Sequence, residues 1–140
     1  MKENIIYETK YWLVKLADNQ CTIGRCVIDT KSDCGELSKL SKEEWDDFRV
    51  NVVVKLEFVM KKTFGATMFN WTCLMNSYFK KENPKPHVHF HFRPRYKNSV
   101  TFMGVTFIDK MFGHHYDKTI QNPVSEEVFL GIINEIKKNL

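Results

Sequence analysis

The sequence predicts an α+β fold: a meandering antiparallel sheet of about five strands, one long helix and a C-terminal helix. Three observations carry this. Short segments alternate apolar and polar residues with the period of a strand, as with Trp12, Val14 and Leu16 within Tyr11–Ala17. Trp45, Phe48, Val52, Leu56 and Val59 recur at helical spacing. Val128, Phe129, Ile132, Ile133 and Ile136 repeat that spacing near the C-terminus.

Each element has a local cause. Asp18-Asn19-Gln20 is a polar break after the first strand, and Cys21–Asp29 reads as a second strand with Gly24 allowing close backbone approach. Together they make an antiparallel hairpin. Thr30–Leu40 is mixed and polar, a loop with one helical turn. Ser41-Lys42-Glu43-Glu44 is a capping box, in which Ser41 bonds a first-turn N–H and Glu44 reaches back. One amphipathic helix then spans Lys42–Thr63 and stops at Gly65. The β-branched run Val52-Val53-Val54 costs it a few tenths of a kcal/mol per residue, which the flanking periodicity outweighs. Ala66–Met75 reads as an apolar strand, and a hairpin with the strand starting at His87 would set the two side by side at the sheet centre. Val100–Met103 and Val105–Ile108 are short apolar pieces. Ser125 caps a last helix, Glu126–Lys138, with acidic residues at its start and lysines at its end, as the macrodipole favours.

Composition bounds the function. The 140 residues make a single domain, 1–140, with 43% hydrophobic and 14% aromatic residues, enough for one core. A net charge of +4 does not mark a nucleic-acid-binding protein, and there is no basic stripe. It does suit a small anion, because Lys80, Lys81, Lys85, Arg93, Arg95 and Lys97 lie close in sequence to the histidine strand. The first residues lack the apolar core of a secretory signal, and no run is long enough to cross a membrane. Cys21, Cys26, Cys34 and Cys73 form no C-x-x-C pair. Reduced thiols in a cytoplasmic protein are the expectation.

The chemistry concentrates between Lys85 and Tyr96. His87, His89 and His91 alternate with Val88, Phe90 and Phe92, so a strand there carries imidazoles on one face and apolar groups on the other. These are three of the chain's five histidines. They admit three readings. His-x-His on a strand can chelate zinc, although His114, His115 and the cysteines lack diagnostic spacing as further ligands. A neutral imidazole can attack phosphorus, form a phosphoramidate and be released by water. Imidazoles can also simply satisfy hydrogen bonds on a polar sheet face. Three in register favour phosphorus chemistry, which needs one fixed tautomer and nearby donors for the leaving oxygen. Trp12, Trp45 and Trp71 read as core residues rather than base-stacking groups, and Cys73 as a small buried hydrophobe.

The segment His87-Val88-His89-Phe90-His91-Phe92, followed by Arg93-Pro94-Arg95, resembles the signature of the histidine triad superfamily. The upstream order agrees: a hairpin with Gly24, a long helix, then a strand ending in Asn76. Phe69-Asn70-Trp71, Leu74-Met75-Asn76 and Arg95-Tyr96 resemble its diadenosine polyphosphate hydrolase-like branch. The similarity spans about Tyr11 to Tyr96.

The resemblance implies a nucleotide hydrolase or nucleotidyl transferase that cleaves a nucleoside monophosphate from a dinucleoside polyphosphate or related conjugate. His89 would be the nucleophile, its other ring nitrogen held by a backbone carbonyl of its own strand. His91 would bond the α-phosphate or bridging oxygen, and His87 would orient the site from beneath. Asn76 and Asn83 would meet phosphate oxygens, and Asn19 would border the ribose and base. No cofactor is required, though a divalent metal can accompany the polyphosphate. The resemblance also implies a homodimer; the modest charge and the lack of a long apolar run are what argue against nucleic-acid and membrane partners. In one departure, Arg25 follows Gly24 where many members have a fourth histidine; pointing inward, it would bring a permanent charge to the substrate. That departure keeps open an alternative, a nucleotide-binding or sensing module without efficient catalysis.

Overall fold

Strand alternation and the two helical stripes are resolved in space by a five-stranded antiparallel sheet packed on helices. The computed structural model describes residues 3–140. In chain order the strands are β1 (Ile5–Glu8), β2 (Trp12–Leu16), β3 (Cys26–Thr30), β4 (Met68–Thr72) and β5 (His89–Arg95). Their spatial order is β1-β2-β3-β5-β4. A separate hairpin pairs β6 (Val100–Phe102) with β7 (Val105–Phe107).

The α+β architecture is the one the sequence predicts, with several boundary corrections. Strand β1 was not expected; its three consecutive apolar residues give too short a pattern to read. β3 begins at Cys26, not Cys21, because buried Gln20 holds residues 20–25 in a turn. Its side chain donates to the carbonyls of Ala17 (2.7 Å) and Arg25 (3.0 Å) and accepts from Gly24 N–H (2.8 Å). Gly24 has φ +89°, and a β-carbon there would lie 2.6 Å from Met60 Sδ. β4 stops at Thr72 and lies at the sheet edge rather than its centre, while Asn76 opens a 3-10 turn, Asn76–Lys80.

The long helix exists with a changed interior. Ser41 and Glu44 form the capping box, with Glu44 N–H to Ser41 Oγ at 3.1 Å and Ser41 N–H to Glu44 Oε1 at 3.0 Å. Helix α1 (Lys42–Asp47) passes into a π-helical stretch, Phe48–Val53, and then α2 (Val54–Phe64). The wider turns fall on the β-branched run, where regular helical packing is least favoured. Gly65, with φ +74°, ends α2 in the left-handed conformation expected of a glycine stop. Helix α3 (Glu126–Asn139) is capped by Ser125 and buries the five apolar residues that predicted it.

The core lies between the sheet and these helices. Trp12, Phe92, Phe129, Leu56 and Ile132 are fully buried, each contributing about 2–3 kcal/mol of burial. Trp12 fits the core reading; Trp45 does not wholly, being 40% exposed while its ring edge meets Phe48 and Phe90. Trp71 is half-buried and donates to Glu57 at 2.9 Å. Among the described residues, no helix is long and apolar enough to cross a membrane.

Proline in β5 is tolerated for a topological reason. β3 pairs with β5 only from His89 to Phe92, so at Pro94 the strand has a neighbour on the β4 side alone. The missing N–H falls where Gly24 has already turned the chain away.

Candidate active site

The pairing register sets which side chains share the face opposite the helices. On β5 these are His89, His91, Arg93 and Arg95. Beside them stand Asp29 and Val27 of β3, opposite His89 and His91, and Thr72, Asn70 and Met68 of β4, opposite His91, Arg93 and Arg95. The other face sends Phe90 and Phe92 into the core. One row of imidazoles and guanidiniums therefore runs along β5.

Two ring tautomers follow from backbone carbonyls, which can only accept. His87 precedes the paired part of β5, and its Nε2–H donates to Thr30 O at 2.7 Å. His89 Nδ1–H donates to the carbonyl of His87 at 2.9 Å. In the neutral ring, that bond puts the free lone pair on Nε2 of His89. The backbone here is itself pinned: Val88 N–H donates to Cys34 O at 2.8 Å and Thr30 N–H to Val88 O at 3.2 Å. The His91 ring stands edge-on to His89, centroids 5.0 Å apart, and its Nδ1 is buried without a partner. Burial, then the charges of His89, Arg93 and Arg25, lowers the His91 pKa to about 4. The ring is neutral at pH 7.

The structure sorts the other predicted residues. Arg25 lies on the site side of the turn before β3, with Nη1 donating to Asn19 O at 3.3 Å and Nε buried without a partner. Asn19 bonds the segment before the last helix: its Nδ2 donates to Ile120 O (3.0 Å) and its Oδ1 accepts from Asn122 N–H (3.0 Å). Asn76 and Asn83 are exposed, Asn76 in the 3-10 turn and Asn83 in the following loop. Arg95 is not an open cation either. It is 1% exposed and spends its donors on Asp109, Asn70 Oδ1 and the carbonyls of Met111 and His114. Lys80, Lys81, Lys85 and Lys97 are exposed, and His114 and His115 are exposed on the segment that Arg95 anchors.

Several site neighbours carry no signal that the sequence reading used. The Tyr78 ring lies 5.8 Å from that of His89, so the Asn76–Lys80 turn leans over the middle histidine. Tyr116 covers Arg93, whose guanidinium carbon is 3.7 Å from the ring centroid. Asp29, opposite His89, is ion-paired with Lys15. Strand alternation in β3 could have placed Asp29; nothing local marks Tyr78 or Tyr116. Cys73 is half-buried rather than buried, and its thiol pKa is raised by that burial. Among the described residues no three His, Cys, Asp or Glu side chains converge as a metal site would require.

The fold has counterparts among solved structures. A HIT-like protein involved in cell-cycle regulation from Bartonella henselae matches with TM-score 0.69 over 100% of this chain and 88% of its own, at 17% identity. The diadenosine triphosphate hydrolase of Plasmodium falciparum matches at 0.58 over 98% and 82%, at 20% identity. The C. elegans NitFhit protein matches at 0.66 over 98% of this chain, at 19% identity; this chain spans 27% of that one. No family model and no curated relative matches by sequence. The chain has the histidine triad fold.

Proposed function

We propose that the chain is a histidine triad enzyme, a nucleotide hydrolase or nucleotidyl transferase working through a covalent nucleotidyl-His89 intermediate. The observation that carries this is the 2.9 Å bond from His89 Nδ1–H to the His87 carbonyl, which in the neutral ring places the lone pair on Nε2, away from the backbone. The Nε2 lone pair attacks the α-phosphorus of a dinucleoside polyphosphate or related conjugate. The bond to the leaving group breaks, and its electron pair departs with that group. The ring, now substituted on Nε2 and still protonated on Nδ1, carries a positive charge that the His87 carbonyl dipole stabilises. Water then attacks phosphorus and releases one proton to solvent, the P–N electrons return to Nε2 to restore the neutral ring, and a nucleoside monophosphate leaves.

Other residues have supporting roles in this reading. His91, neutral at pH 7, hydrogen-bonds the α-phosphate or bridging oxygen. His87, tied to Thr30, holds the strand carbonyl in place. Arg25 supplies a permanent charge, and Asn76 and Asn83 approach phosphate oxygens from the turn above. A divalent ion can accompany the polyphosphate. The nucleotide class is supported by the fold's likeness to a diadenosine triphosphate hydrolase. The protein works in the cytoplasm as a homodimer; an exposed apolar row on the helix, Val50, Val54 and Phe58, supports self-association.

The test is AMP release from diadenosine tetraphosphate and from adenosine 5′-phosphoramidate by wild type and by His89→Ala. Wild type should release AMP from at least one of them, and the variant should lose turnover by about four orders of magnitude or more while remaining folded. Equal turnover in both proteins would rule out the covalent role. Mononucleotide binding with no product in either protein would instead assign a binding module.

A further inference from the structure

Arg93 is a deeply buried guanidinium on the site face that, among the described residues, the fold leaves without an ion pair. It is 6% exposed, its Nη1 is buried without a partner, and among the described residues it forms no ion pair. Its one described contact is the face of Tyr116, which offers π density but no acceptor. Of the nearby carboxylates, Asp109 is engaged by Arg95 and Asp29 by Lys15, while Asp18 lies on the Arg25 side of the site. Arg25 stands close enough to depress the Arg93 pKa, after burial itself, and its own Nε is also buried and unpartnered. Two adjacent cations repel each other, and the buried one forfeits hydration. A fold bears that arrangement where an anion comes to occupy it.

Position says which anion. Along β5, Arg93 follows His91 on the same face at one strand repeat, about 7 Å. Arg25 also lines a cavity of about 350 Å³ with Lys15, Asp18, Asn19 and Val27, and Val27 is the register partner of His91. The unpartnered donors thus lie beyond His91, on the side away from His87, within reach of a di- or triphosphate chain whose α-phosphorus sits at His89.

We propose that Arg93 and Arg25 form a second anion subsite that binds the phosphate of the departing group, making the enzyme selective for polyphosphate over neutral amine leaving groups. This rests on the covalent reading for its orientation, but its anion-binding half stands without it. Arg93 is a specificity residue here; it meets the leaving group and not the phosphorus under attack. Tyr116 keeps its guanidinium plane fixed, so the fork is preorganised for an anion.

The experiment has two arms. In the first, thermal unfolding of the whole chain is followed with inorganic pyrophosphate, against sodium chloride at equal ionic strength. Wild type should be stabilised by several degrees at saturation. Arg93→Met and Arg25→Met should each lose most of that shift, Arg93→Lys should retain part, and Arg93→Met without ligand should melt no lower than wild type. No shift in wild type, a full shift in Arg93→Met, or a marked drop in that variant's own melting temperature overturns the subsite. In the second arm, kcat/KM is measured for diadenosine tetraphosphate and for adenosine 5′-phosphoramidate. Their ratio should fall about thirtyfold or more in Arg93→Met; an unchanged ratio overturns the leaving-group assignment. If wild type binds pyrophosphate through both arginines yet turns over neither substrate, the covalent reading fails, the leaving-group half falls with it, and a plain anion site remains.

Discussion

The Arg95 guanidinium clamps the Asp109 carboxylate through two bonds, Nε–H to Oδ2 at 2.6 Å and Nη2–H to Oδ1 at 3.1 Å, with both side chains buried. The same carboxylate accepts from Tyr96 N–H and Met111 N–H. This pair fixes the segment after β7 across the site face and positions Tyr116 over Arg93. Removing one partner strands a buried charge. Asp109→Ala should therefore destabilise the protein by about 3–5 kcal/mol in urea unfolding. The double change Arg95→Met with Asp109→Leu should recover part of that loss. A cost below about 1 kcal/mol for Asp109→Ala would mean the clamp does not hold this segment.

His91 should make the protein acid-sensitive in a window set by its own shift. An unfolded chain protonates the ring near 6.5, whereas the folded protein does so only near 4, burial being the first cause. Between these values the unfolded state binds more protons, so stability falls as pH drops from about 6.5 to about 4. Water around the half-buried ring limits the effect to about 1–2 kcal/mol. His91→Gln should flatten the pH dependence of urea midpoints across that range. NMR titration should find a His91 pKa near 4 that rises in Arg93→Met; a value at the ordinary 6.5 would contradict a ring desolvated and flanked by cations.

Gly24 is required twice over, by its φ of +89° and by Met60, whose sulfur a β-carbon would meet at 2.6 Å. Gly24→Ala should cost about 1–3 kcal/mol. It should also disturb the neighbouring Arg25. The check is urea unfolding together with thermal stabilisation by pyrophosphate; an unchanged midpoint would show that the turn tolerates a side chain.

Much of the architecture was legible in the sequence because it rests on local or periodic causes. The capping box at Ser41, the α3 stripe and the Trp12-Val14-Leu16 alternation are readable from neighbours within a turn or a strand. The histidine row was legible for the same reason. What escaped was decided by partners far along the chain. Asn19 has the composition of a ligand-facing turn, yet Ile120 and Asn122, a hundred residues on, take its amide. Arg93 and Arg95 look alike in a basic cluster, and only the approach of Asp109 makes one a structural clamp and leaves the other unpaired. Gln20 reads as a surface break because its three partners are backbone groups of a turn that its own side chain creates. The π-helical turns at Phe48–Val53 had a signal, the β-branched run, which helical periodicity outweighed.

The most direct test is intact-mass spectrometry of wild type mixed with diadenosine tetraphosphate and quenched without acid, with His89→Ala treated alongside. A covalent mechanism predicts a gain of one adenylate in wild type alone, mapped to the peptide containing His89 and decaying as AMP appears. AMP released with no adduct at any quench time, or an adduct equally present in His89→Ala, would contradict it.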